Sequence, residues 1–201
     1  WGQSELATPN IDRLARDGMR FTEFRSSAAV CGPARCSFMT GFHNGRCRLD
    51  DNDHDYLRPD DITLAERLKQ VGYATALVGK WGLSWARAFD FVRANASKPF
   101  FLFWATNLPH IHNETRTVAA DGGYETNTLG PYADRAWSLP KKGYAAQIHL
   151  LDQGLGQLRT LLDSLNVSER TIIVFLSDNG ATFLKGPNDG TSEVIGRWFN
   201  G

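Results

Sequence analysis

The stretch CGPARCSFMTG, residues 31–41, sets Cys31 and Cys36 five positions apart with Pro33 and Arg35 between them. Thiolates are nucleophiles and soft metal ligands, and a guanidinium can clamp an oxyanion through two parallel hydrogen bonds. A zinc site could draw on Cys31, Cys36, Cys47 and His43, but that spacing is weakly patterned and leaves Pro33 and Arg35 without a task. Redox pairs use a tighter spacing. Neither reading accounts for Arg35.

Other segments carry chemistry of a different kind. Asp178 and Asn179 follow an apolar run and offer hard oxygen ligands suited to Ca²⁺ or Mg²⁺, although Asn-Gly is also a common turn. Lys80 closes another apolar run, where its ammonium could oppose negative charge or simply extend from the surface. His110 follows Pro109 past a third such run and could serve a leaving group; His112 could serve instead. The acidic run DDNDHD, 50–55, lacks the glycine and glutamate of a calcium loop and reads as a solvated loop.

These residues need a scaffold. Thr8 and Pro9 open a helix that Gly18 ends, and a second helix spans roughly 62–70 after Asp60 and Asp61. YATALVG (73–79) and FFLFWAT (100–106) read as strands. Leu151, Leu155, Leu158, Leu162 and Leu165 line one stripe of a helix over about 142–166, and TIIVFLS (171–177) reads as a strand covered on both faces. The segment 111–140 and the residues after 180 read as loops. The pattern predicts an α/β fold, a mostly parallel sheet flanked by helices. Ligands of such sheets lie beyond the carboxyl ends of the strands, which is where Lys80, His110, Asp178 and Asn179 fall.

Composition narrows the partners. The chain has 201 residues, with 22 basic and 22 acidic side chains, which argues against a general nucleic-acid footprint. No run reaches the roughly 18 apolar residues of a membrane span. Three cysteines do not make an even disulfide framework. The sequence opens on Trp1 rather than methionine, so the lack of a leader carries no information.

Taken together, CGPAR and CSFMTG resemble the signature of the sulfatase family. TPNIDRLARDGMRF (8–21), VGKWGL (78–83), PFFLFWATNLPH (99–110) and the run 144–180 ending in SDNG resemble family segments in the same order. The resemblance implies an alkaline-phosphatase-like fold and a sulfate-ester hydrolase. It implies that a formylglycine-generating enzyme converts Cys31 to formylglycine. One hydroxyl of its hydrate would attack sulfur, and the other would help expel sulfate. Arg35 would hold that group, Lys80 would contact the sulfate, and His110 would face the substrate or leaving group. Asp178, Asn179 and the Cys31-derived group would bind calcium, with Mg²⁺ as the alternative ion. Cys36 and Cys47 would be bystanders.

The sequence also departs from the family pattern. Gly82 stands where a histidine is usual, no consecutive aspartates precede Thr8, and Lys185 is too near Asp178 to be the family's second lysine. The chain is therefore expected to be a partial catalytic domain over 1–201, lacking the first strand and the C-terminal part. The substrate would be a small-molecule or glycan sulfate ester, and the compartment periplasmic, secreted or lysosomal. The alternatives are a phosphonate or phosphate ester hydrolase of the same fold and a non-catalytic sulfatase-like fragment.

Overall fold

The computed structural model describes residues 5–47, 57–58, 60–79, 85–112, 120, 123–124 and 126–180. Lys80, the 50–55 run and everything after Gly180 lie outside them. The chain forms two compact units, one built from 1–21, 106–163 and 181–201, the other from 22–105 and 164–180.

The first unit pairs helix α1 (Pro9–Asp17) with the long helix α5 (Leu139–Ser164). Pro9 starts α1 as expected, but the Thr8 side chain does not cap it. The cap comes from α5. Asp152, 1% exposed, accepts from Asn10 N (3.0 Å) and Ile11 N (2.8 Å) on one oxygen and from Asn10 Nδ2 (2.8 Å) on the other. A buried carboxylate thereby meets the orphan amides and positive end of α1. Around it, Leu6, Ile111, Tyr124, Tyr132, Tyr144, Ala145 and Ile148 make a shared core, with Trp137 stacked on Tyr132.

The second unit is an α/β sandwich in miniature. Strands β1 (Ala74–Gly79) and β2 (Phe100–Ala105) pair in parallel, with Ala74 opposite Phe100 and Gly79 opposite Ala105. Parallel neighbours need a crossover, and helix α4 (Trp85–Asn95) supplies it. The aromatic run of β2 then divides by the two-residue period of a strand. Phe100 meets Phe91, and Trp104 meets Trp85 and Phe89, all from α4, while Phe103 stacks on Phe38 of helix α2 (Cys31–Thr40) at 5.3 Å. Helix α3 (Leu64–Gln70) is shorter at its start than 62–70 because Thr63 and Glu66 form a reciprocal capping box.

Two expectations change. The sheet has two strands among the described residues, not a larger parallel array. The run 171–177 joins no ladder, and Ile172 is 91% and Val174 70% exposed. Apolar β-branched residues favour an extended backbone, but only a neighbouring strand makes a ladder, and the described residues supply none there.

Candidate functional site

Cys31 is the first residue of α2, a helix that the sequence reading did not identify because Gly32 and Pro33 disfavour a helix interior. Their positions resolve the conflict. The first backbone amide to donate along this helix is that of Ala34, to Val30 O (3.1 Å), so Pro33 forfeits no hydrogen bond. Pro33 and Ala34 are buried, which seats the helix start, while Cys31 remains partly exposed. Val30 occupies the N-cap position and contributes no side-chain cap.

Arg35 lies one turn beyond Cys31 on the same helix. Its Nε donates to the Cys31 carbonyl oxygen (3.0 Å) and stands 4.0 Å from Asp178 Oδ2. Arg35 is mostly buried and Asp178 partly exposed. Cys31, Arg35 and Asp178 were expected at one site, and the fold of this unit brings them together. Ser26, which the sequence did not flag, strengthens the link by donating from Oγ to the Asp178 carbonyl. No local signal marks Ser26, since its partner is 152 residues away.

Asn179 turns its side-chain amide toward Asp178, the nearest atom lying 2.9 Å from Oδ1 and 3.3 Å from Oδ2. As an NH₂ that atom donates to the carboxylate. Gly180 then closes the turn at φ 79°, its amide donating to Ser177 Oγ (3.0 Å).

His110 belongs to the other unit and is exposed. Its Nδ1 lies 2.6 Å from Ile111 O, a contact that places the proton on Nδ1. In the neutral ring Nε2 is then an acceptor; in the charged ring it donates. His112 is exposed too, with its backbone amide on Gly123 O.

The zinc reading receives no support. His43 Nδ1 accepts from Gly45 N (3.1 Å), Cys36 and Cys47 face each other, and no group of three or more His, Cys, Asp or Glu side chains clusters among the described residues. Among the same residues, no helix is long and apolar enough to cross a membrane. Gly79, the residue before Lys80, has φ 131°, and a Cβ there would collide with Ala105 O, so this strand end admits only glycine.

A family profile described as Sulfatase matches residues 2–91 and 86–194. The N-acetylgalactosamine-6-sulfatase of Canis lupus familiaris is 25% identical over 271 residues, covering 96% of this chain and 49% of its own. Steryl-sulfatase of Mus musculus is 39% identical over 103 residues, covering 45% and 16%. The chain thus spans about half the length of the curated relatives it matches along most of its sequence. Among solved structures, a chain described with the metabolism of multiple glycosaminoglycans by Bacteroides thetaiotaomicron aligns with a TM-score of 0.72 at 19% identity. It covers 96% of this chain and 62% of its own. At that identity the likeness shows a common fold.

Proposed function

Because the chain belongs to the sulfatase family, we propose that the protein carrying it hydrolyses a sulfate ester to an alcohol and inorganic sulfate, with Cys31 as the precursor of the nucleophile. The observation that carries this reading is the position of Arg35, on the Cys31 carbonyl and 4.0 Å from Asp178. A cation held there by its own helix can neutralise an anionic ester without moving as charge develops.

The residues present fit the groups the family uses. Cys31 is accessible at the positive end of α2, where a negatively charged ligand is favoured. Formylglycine made from Cys31 would supply an aldehyde hydrate, a nucleophile that carries its own route for releasing sulfate. Asp178 and Asn179 offer the oxygen donors of a hard cation, two of the about six to eight ligands Ca²⁺ takes. Calcium or magnesium bound there would polarise the sulfate oxygens. Lys80 is assigned to the sulfate, and His110 to the leaving-group side through Nε2. A proton held by Nε2 in the charged ring can pass to the departing alkoxide.

The N-acetylgalactosamine-6-sulfatases align over almost the whole chain, which favours a sugar sulfate over a sterol or simple aryl sulfate. A formylglycine-generating enzyme is the expected maturation partner, in a periplasmic, secreted or lysosomal setting. Residues 1–201 are assigned to one partial catalytic domain.

The test is a mass spectrum of the tryptic peptide ending at Arg35, from protein made in a host with the maturation enzyme. Loss of one sulfur and two hydrogens with gain of one oxygen is expected. An intact thiol would overturn the assignment of Cys31. Rates on a chromogenic sulfate and the matching phosphate, compared side by side, should favour sulfate; the reverse order would turn the reading to a phosphate ester hydrolase.

A further inference from the structure

Cys36 and Cys47 play no part in the proposed chemistry, yet they are placed with care. Both are buried, at 3% and 7% exposure, and their sulfurs lie 3.1 Å apart, about 1 Å beyond an S–S bond of about 2.05 Å. We propose that Cys36 and Cys47 close into a disulfide as the chain folds, stapling the C-terminal half of α2 to the turn that follows it.

The turn holding Cys47 is built from its own hydrogen bonds. Arg46 N (2.8 Å) and Cys47 N (3.0 Å) both donate to His43 O, and Ser37 Oγ on α2 donates to Asn44 Oδ1 (3.2 Å). The sulfur positions are therefore fixed from both sides. Cys47 Sγ also lies near the Ser37 and Thr40 hydroxyls and Phe42 O, at 3.5, 3.7 and 3.5 Å. Cys31 is set apart from Cys36 along the helix. Five residues along a helix amount to about 7.5 Å of rise and about 140° of rotation from Cys36.

Closure is a two-electron oxidation. A thiolate of the pair attacks a small-molecule or protein disulfide, of the kind an oxidising compartment supplies, and releases one thiol. The second cysteine displaces the other thiol, forming the Cys36–Cys47 bond and leaving the donor reduced by two electrons and two protons. In the folded protein, burial first and then the Cys47 partner push the Cys36 thiol up to about 12, which suppresses the thiolate needed for exchange. Burial of both sulfurs, at 3% and 7% exposure, also shields the closed bond from reduction.

The full chain, folded with an oxidised and reduced glutathione pair, is denatured, alkylated without reduction and digested with trypsin. Cleavage after Arg35 and Arg46 puts Cys31, Cys36 and Cys47 on three separate peptides. The expected product is Cys36–Arg46 joined to Cys47–Arg48, with neither cysteine alkylated. Alkylation of both, or a link from Cys31 to either, would overturn the proposal. The state of Cys31 is read on its own peptide, so failure of the sulfatase reading and failure of the disulfide are distinguishable. Reduction, or C36A together with C47A, should lower the thermal midpoint by roughly 5–10 °C, as expected for a loop of this size in a chain of this length. If that variant does not fold, the peptide map of the unaltered chain decides the matter.

Discussion

The two ends of α2 satisfy their backbone groups in opposite ways. At the C-terminal end, Gly41 takes φ 73° and donates to Ser37 O (2.8 Å), Thr40 Oγ1 donates to Cys36 O (2.8 Å), and two buried sulfurs lie behind the turn. At the N-terminal end Val30 offers no side-chain cap, Cys31 is partly exposed, and Arg35 leads to Asp178 from a distant part of the sequence. Helix termini carry orphan polar groups that something must satisfy. This helix satisfies its C-terminal end by local structure, while its N-terminal end carries Cys31 and, one turn on, Arg35. Anchoring and chemistry are thus separated along a single ten-residue element.

The sharpest way to break that division is Arg35→Ala. It removes the positive charge next to Cys31, and turnover of a chromogenic sulfate should fall about 100-fold or more. The thermal midpoint should fall far less than turnover, since the 4.0 Å ion pair to partly exposed Asp178 and the hydrogen bond to the Cys31 carbonyl are each worth about 1 kcal/mol or less. Arg35→Lys keeps the charge but loses the planar fork, and should recover only part of the rate. A midpoint that collapses in step with turnover would mean that Arg35 anchors the helix, and the contrast between the ends would fail.

Gly41→Ala tests the other end. No atom lies within 4 Å of a Cβ built there, so any cost comes from the left-handed backbone alone. That cost is about 1–2 kcal/mol, a loss of several degrees in the midpoint. Turnover per folded molecule should stay near the unaltered value. A large loss of rate at unchanged stability would show that the C-terminal turn does more than anchor.

How much of this could be read from the sequence depends on whether a feature is local. The residues 31–41 announced chemistry through their types, and Thr40-Gly41 carries a helix stop in plain view. That the whole stretch is a helix was hidden, because Gly32 and Pro33 disfavour a helix interior but cost little in its first turn. The capping pair Thr63 and Glu66 is legible in the same local way. Helix α4 was missed although two parallel strands demand a crossover, and Ala88 and Val92, four apart and both fully buried, mark its inner face. The run 171–177 shows the opposite failure, since composition reveals a segment's preference for extension but not which neighbour would pair with it. Contacts such as Asp152 with α1 and Ser26 with Asp178 join residues more than a hundred positions apart, which no spacing rule reaches.

The smallest effect lies in the other unit and sets the scale for the first two. Asp17 accepts from Arg159 Nη2 at 2.7 Å and pairs with Arg13 Nε at 3.5 Å, and its carboxyl sits below the ordinary value chiefly through the Arg159 hydrogen bond. A carboxyl lowered on folding stabilises the protein above its unfolded value, about 4, and loses that contribution as pH falls through the folded value. Because Asp17 is half exposed, water and salt screen the pair, and Asp17→Asn should cost only about 1–2 °C at pH 7. The difference between the unaltered chain and Asp17→Asn should shrink as the pH drops below about 4, and it should shrink again in high salt. A difference that persists at pH 2 would show that shape, rather than charge, joins the end of α1 to α5. A difference as large as that of Gly41→Ala would mean that an exposed ion pair anchors as strongly as a helix stop, and would remove the reason for treating the C-terminal end of α2 as special.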